Sequence, residues 1–190
     1  MPWKREVPTS TVGLVPPDRA VSGLVVVVPE AEPVVYRHRQ VLDENAALGV
    51  PAHVTVLFPF ASPTALDEPT LDRVRAAVGT VPAFRYAFRR TAWFGDDALW
   101  LAPDDPGPFR ELTSRVHAEF PDHPPFEGAF PDVVPHLTVG HGHPRGELEA
   151  AERQVLAQLP VTGRATDVVL LTWDGPGARW TPRAAFPLRS

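Results

Sequence analysis

Two stretches of the chain are written on one pattern, and that doubling restricts the possible folds more than any other feature. The first is Pro51-Ala52-His53-Val54-Thr55-Val56-Leu57-Phe58-Pro59-Phe60. The second is Pro135-His136-Leu137-Thr138-Val139-Gly140. Each holds a histidine, an aliphatic residue, a threonine and another aliphatic residue. Alternate residues of a strand project to one face. As strands, the two stretches therefore present His53 beside Thr55 and His136 beside Thr138. A fold for this chain has to accommodate two such strands in equivalent places.

The surrounding order of elements also recurs. Residues 32–48 carry helical spacing, with Val34, Val41 and Leu48 on one face, Pro33 in the first turn and Gly49 at the end. The first motif strand follows over 53–58. Asp67 is placed to cap a helix carrying Leu71, Val74 and Val78. Residues 84–93 and 98–102 read as a hairpin around Gly95-Asp96-Asp97. In the second half, Phe109, Leu112, Val116 and Phe120 mark a helix stopped by Pro121. A proline-rich loop over 121–134 leads into the second motif strand. Leu148, Val155 and Leu159 mark another helix, and residues 166–173 and 179–188 form a second hairpin around Gly175-Pro176-Gly177. Trp93 and Trp100 flank the first hairpin turn as Trp173 and Trp180 flank the second.

Helix, motif strand, helix, strand, strand thus occurs twice, over 32–102 and 106–188. The expectation is one α+β domain over 23–190 with two lobes related by a pseudo-twofold axis. Its two mainly antiparallel sheets are flanked by helices, and the motifs face each other across a central cleft. Residues 23–28 add a buried strand outside the repeat. Residues 1–22, proline-rich and aperiodic, read as an extended arm.

Composition removes several classes of chemistry. The chain has no cysteine, so disulfides, thiolate metal sites and a thiol nucleophile are excluded. Its aliphatic runs are strand length, too short to span a membrane as a helix, and no apolar signal region follows Lys4 and Arg5. A cytoplasmic location away from membranes is expected. A net charge of -5 argues against a coat for long nucleic acid. It leaves room for a small nucleotide, or an RNA end, in a locally positive cleft.

Two imidazoles and two hydroxyls in one cleft suit a phosphate diester. Histidine titrates near neutral pH, so one ring can remove a proton while the other supplies one. Placed on opposite sides of phosphorus, the pair fits in-line displacement. Thr55 and Thr138 then donate to the non-bridging oxygens as charge develops there. This arrangement calls for no metal and no cofactor. Two rival readings are a binding module that holds a phosphorylated ligand without turnover, and a metal-dependent hydrolase built on His136, His141 and His143. Strand alternation sets His141 opposite His136, against the second rival.

Among the other candidates, Trp180 is the foremost of the four tryptophans for stacking on a base. Arg179 and Arg183 would share a face of an extended segment within reach of phosphate. His38, His117 and His123 read as surface or helix-flank residues, and Arg37-His38-Arg39 and Arg89-Arg90 as solvated clusters. A monomer is expected, since the two lobes already supply each other's partner.

The doubled His-x-Thr-x pattern, as His53-Val54-Thr55-Val56 and His136-Leu137-Thr138-Val139, resembles the two-histidine (2H) phosphoesterase superfamily. Within it the chain is similar to the 2'-5' RNA ligase and RNA 2',3'-cyclic phosphodiesterase branch, over about residues 23–188. The resemblance implies the bilobal, pseudo-symmetric 2H phosphoesterase fold with its site in the central cleft. It also implies chemistry independent of metal and ATP. A 2',3'-cyclic phosphate on an RNA end or small nucleotide would open to a 2'-phosphate, and some members also join RNA ends reversibly through 2'-5' bonds. Carried onto this sequence, His53 and His136 become the acid–base pair, and Thr55 and Thr138 the phosphate binders.

Overall fold

The computed structural model describes residues 20–128 and 132–190. In chain order the elements are β1 (Val21–Val27), α1 (Glu32–Leu42), α2 (Glu44–Ala47), β2 (His53–Leu57), α3 (Glu68–Val78), β3 (Phe84–Phe94) and β4 (Ala98–Pro103). There follow α4 (Gly107–Glu119), β5 (Leu137–His141), α5 (Arg145–Leu156), β6 (Val161–Ala165), β7 (Asp167–Trp173) and β8 (Thr181–Pro187). The expected arm lies outside the described residues up to position 19. At its end Val21 and Ser22 are already strand, paired with Trp173 and Thr172.

Local chemistry sets several of these boundaries. The Asp67 carboxylate accepts the Thr70 N–H at 2.9 Å and starts α3. Asp43 divides the helix read over 32–48 into two. Its backbone is extended, and its Oδ1 accepts the Asn45 N–H at 3.1 Å, ending α1 and capping α2. The buried face of α1 also differs from the expected one: it carries Val34, Val35, His38, Arg39 and Leu42, while Val41 is 69% exposed. Val41 fits the aliphatic spacing, but the sheet beneath α1 meets the stripe centred on Val35, Arg39 and Leu42.

The strands form two four-stranded sheets, ordered β2-β1-β7-β8 and β5-β4-β3-β6, with antiparallel pairing throughout. The molecule is α+β, two sheets flanked by helices, as the element order implied. The repeats, however, interleave. Motif strand β2 joins the hairpin of the second repeat, β7-β8, and motif strand β5 joins that of the first, β3-β4. Helices follow the same exchange: α1 packs on β5 and α4 on β2. Strand β6, absent from the element order expected of the sequence, completes the second sheet beside β3.

Both motif strands carry a bulge at the same place. In β2, Val25 faces Thr55 and Leu24 faces Leu57, leaving Val56 extra. In β5, Trp100 faces Thr138 and Leu99 faces Gly140, leaving Val139 extra. Val56 and Val139 are 2% and 0% exposed and belong to the main core. That core joins one face of each sheet to the helices packed on it, with Val26, Val54 and Leu170 from the first sheet, Phe88, Leu99 and Leu137 from the second, and Val35, Val74, Leu112 and Leu148 from α1, α3, α4 and α5. Each such side chain contributes about 1.5–3 kcal/mol by burial. A second cluster, with Val25, Phe58, Leu171, Trp173 and Trp180, covers the opposite face of the first sheet.

Candidate active site

The two motif strands are the edge strands of their sheets, and they run beside each other with Cα atoms within 8 Å. His53 opens β2, and His136 stands one residue before β5. Thr55 and Thr138 sit two residues further on, each on the side of its histidine. The four side chains are buried: His53 6%, Thr55 8%, His136 7% and Thr138 6% exposed. The structure thus gathers all four expected site residues along one seam. No other described residue engages either threonine hydroxyl.

The two imidazoles are held alike. His53 Nδ1 lies 2.7 Å from the Pro51 carbonyl oxygen, and His136 Nδ1 lies 2.8 Å from that of Val134. A carbonyl oxygen only accepts, so in both rings Nδ1 carries the proton and donates it. Nε2 is left as the atom that can take or give a proton. The prolines introducing each motif belong to this geometry, because the contacted carbonyl lies two residues before each histidine, on Pro51 itself or next to Pro135.

The electrostatics around the two rings differ. Burial pushes the His53 imidazole down to about 4, with the nearby Arg39 guanidinium adding to the effect. The Pro51 carbonyl and the Asp43 carboxylate oppose that push, and His136 reinforces it. Burial also holds His136 below its ordinary value, against the pull of the Val134 carbonyl. Around His136 the neighbours are aromatic. Phe94 meets it edge-on with ring centroids 5.0 Å apart, Trp100 at 5.9 Å, and Phe126 lies nearly parallel at 6.4 Å. Phe94 and Trp100 are themselves stacked at 4.6 Å.

Several of these groups depart from what the sequence pattern suggests. Arg39 reads as part of a solvated cluster, yet it is 2% exposed. Its Nε and Nη2 donate to Asp43 Oδ2 at 3.0 and 2.8 Å. The i,i+4 spacing of Arg39 and Asp43 is the signal that could have found the pair. His38 is buried as well, with 9% exposure. Simple alternation sets His141 on the face opposite His136, but the Val139 bulge shifts that alternation by one. His141 instead pairs with Ala98, on the face of Trp100 and Thr138, and its Nε2 lies 3.8 Å from Asp43 Oδ1. His143 faces Glu147 at 3.7 Å. Among the described residues no group of three histidines or carboxylates is placed to hold a metal ion.

The stacking and phosphate candidates at the C-terminal end also move. Trp180 is 4% exposed, packed against Trp173 at 6.5 Å and edge-on to Phe58 at 6.1 Å, so its faces are already covered. Arg179 donates to the Ala47 carbonyl at 3.0 Å, tying the start of the last strand to α2. Arg183 sits at the bulge of β8 and is exposed. Of the four tryptophans, Trp100 is the one that adjoins a site histidine.

Comparison with known proteins identifies the family and the fold. A family model described as the 2'-5' RNA ligase superfamily matches residues 27–177. Among solved structures, E. coli LigT complexed with NADP+ aligns with a TM-score of 0.57 at 15% identity, over 92% of this chain and 100% of that one. LigT complexed with 3'-AMP aligns with a TM-score of 0.57 at 14% identity, over 90% and 98%. TT0787 of Thermus thermophilus aligns with a TM-score of 0.57 at 20% identity, also over 90% and 98%. At these identities the likeness concerns the fold. Among curated protein sequences none matches. Among the described residues, no helix is long and apolar enough to cross a membrane.

Proposed function

The chain belongs to the 2'-5' RNA ligase superfamily, and from that premise we propose that it is a metal-independent phosphodiesterase opening a 2',3'-cyclic phosphate to a 2'-phosphate. The substrate is an RNA end or a small nucleotide. The observation that carries this reading is the matched pair of imidazoles, each with Nδ1–H fixed on a carbonyl and Nε2 left for proton transfer.

With the cyclic phosphate between the rings, one neutral Nε2 takes a proton from water as the water oxygen attacks phosphorus. The bond from phosphorus to O3' breaks in line, and the other ring, protonated at Nε2, gives its proton to O3'. The Thr55 and Thr138 hydroxyls donate to the two non-bridging oxygens, whose negative charge grows in the transition state. Burial makes these bonds stronger than they would be in water. The same pair acting on a 5'-hydroxyl end of RNA in place of water, with the bond from phosphorus to O3' breaking as before, gives a 2'-5' bond.

The test uses 2',3'-cyclic mononucleotides and short RNAs ending in a cyclic phosphate, in excess chelator. Wild type should form the 2'-phosphate, and His53→Ala and His136→Ala should each lose about 100- to 10,000-fold in rate. Binding without product over long incubation would establish a ligand-holding module instead. Loss of activity in chelator would point to a metal.

A further inference from the structure

On this reading of the site, we propose that the open face of the second sheet is a track for single-stranded RNA, with Arg90, Arg85 and Arg164 receiving backbone phosphates upstream of the reacting end. Thr138 faces Trp100 across β5 and β4, and Trp100 faces Ala92 across β4 and β3. Arg90, paired with Ala102, stands two residues from Ala92 on that same face. Beyond it Arg89 is an extra residue, since Phe88 pairs with Pro103 and Arg90 with Ala102. The bulge returns Ala87 and Arg85 to the same side. Ala87 pairs with Thr162, and Arg85 with Arg164, in β6. One continuous face therefore runs from His136 and Thr138 to the Arg85–Arg164 pair.

Charge is the second observation. Arg85 and Arg164 are directly opposite on neighbouring strands, where like charges repel. All three arginines are exposed, and none has an ion pair or hydrogen bond among the described residues. The acids nearby are engaged elsewhere. Asp104 accepts from Arg89 at 2.7 Å, Asp105 accepts the Gly107 N–H at 2.9 Å, and Glu30 accepts the Tyr86 hydroxyl at 2.6 Å. An anion between Arg85 and Arg164 would turn their repulsion into two charge-assisted bonds. The space exists: a cavity of about 800 Å³ is lined by both arginines, Ala87, Asp104 and Thr162. The acids on its rim disfavour a compact polyphosphate, whereas phosphates spaced along a strand meet the arginines singly.

Spacing selects the occupant. Strands lie about 4.8 Å apart and rise about 3.3 Å per residue, so Arg90 is about 12 Å from Thr138 and the Arg85–Arg164 pair about 22–25 Å. A strand advancing about 3.4 Å per phosphate reaches Arg90 within about four nucleotides and the pair within about seven. Trp100 stands beside Thr138 on this face with Phe94 stacked on it, and such aromatic rings at the start of the track suit unpaired bases. A cyclic mononucleotide touches none of the three arginines.

The experiment compares wild type with R85E/R164E on a 2',3'-cyclic mononucleotide and on an RNA octamer ending in a cyclic phosphate, over a series of salt concentrations. Wild type should prefer the octamer. The variant should keep its mononucleotide kcat/KM, lose about tenfold on the octamer, and show a salt slope shallower by about 1.4. No preference for the octamer in wild type, or an equal loss on both substrates, overturns the track. Inactivity of wild type toward both substrates overturns the reading of the site, not the track. In that event the binding of a labelled octamer, followed by fluorescence anisotropy, decides: weakening in R85E/R164E supports the track, and equal binding overturns it.

Discussion

Two histidines with the same backbone anchor differ in what surrounds them, and the pH dependence of the proposed reaction follows from that. Both rings are held below the ordinary histidine value, His53 to about 4. In the free protein above about pH 6.5 both are therefore neutral, and the form that holds one proton between them becomes scarce. The expected kcat/KM profile is a bell with its maximum on the acid side of about 6.5. Bound phosphate places negative charge between the rings and raises both values, so the kcat maximum should lie at higher pH than the kcat/KM maximum. Steady-state rates across the acid and neutral range measure both. The Arg39–Asp43 pair enters at the same scale. Both side chains are within 3% of full burial, and removing one partner strands the other. Asp43→Ala should cost about 3–5 kcal/mol in denaturant unfolding, and Arg39→Met combined with Asp43→Ala should recover most of it. Neither the burial nor the aromatic ring of contacts about His136 was legible in the sequence, because both depend on which distant elements arrive beside the motif.

At the scale of elements, the aliphatic and threonine alternation of the motif strands, the Asp67 cap and the two hairpins were all readable, since each rests on neighbours a few residues apart. The bulges after Thr55 and Thr138 were not. A bulge is set by the partner strand, and the extra valine in each case is taken up by the main core. Its consequence is that His141 stands on the other face from the one alternation implies. The bulge in β5 also lets Gly140 meet α1 closely. A Cβ at position 140 would stand 2.6 Å from Leu42 Cβ and 3.1 Å from the Leu42 carbonyl oxygen. Gly140→Ala must push α1 off β5, and α1 carries Arg39. The substitution should cost about 1–3 kcal/mol in stability and lower kcat, whereas Gly146→Ala, in α5 with nothing within 4 Å of the added Cβ, should leave kcat unchanged and raise stability by up to about 1 kcal/mol. Unfolding and rate measurements on the two variants give the contrast.

Across the whole molecule, the exchange of hairpins and helices between the repeats makes the two sheets one unit. Neither sheet can form from one repeat, because each motif strand pairs within a sheet completed by the other repeat. Both sheets and the helices on them share a single core. Unfolding by denaturant should therefore be one transition, coincident by far-ultraviolet circular dichroism and by tryptophan fluorescence. Two separated transitions would show lobes that fold independently. The same interleaving carries the site, since it brings β2 and β5 together as neighbouring edges instead of leaving each inside its own lobe.

The sequence by itself determined which candidate site residues share a face. The pairs His53 with Thr55 and His136 with Thr138 follow from alternation along short strands, and the repeated element order implied an α+β fold with two sheets. These are local properties, fixed by spacing over a few residues. Only the tertiary structure decided which strands share a sheet, that Arg39 and Asp43 lie buried beside His53, and that Trp100 rather than Trp180 adjoins a histidine. Those outcomes depend on hydrogen-bond register and on packing between segments far apart in the chain, where many arrangements satisfy the same local pattern and only one fills the shared core.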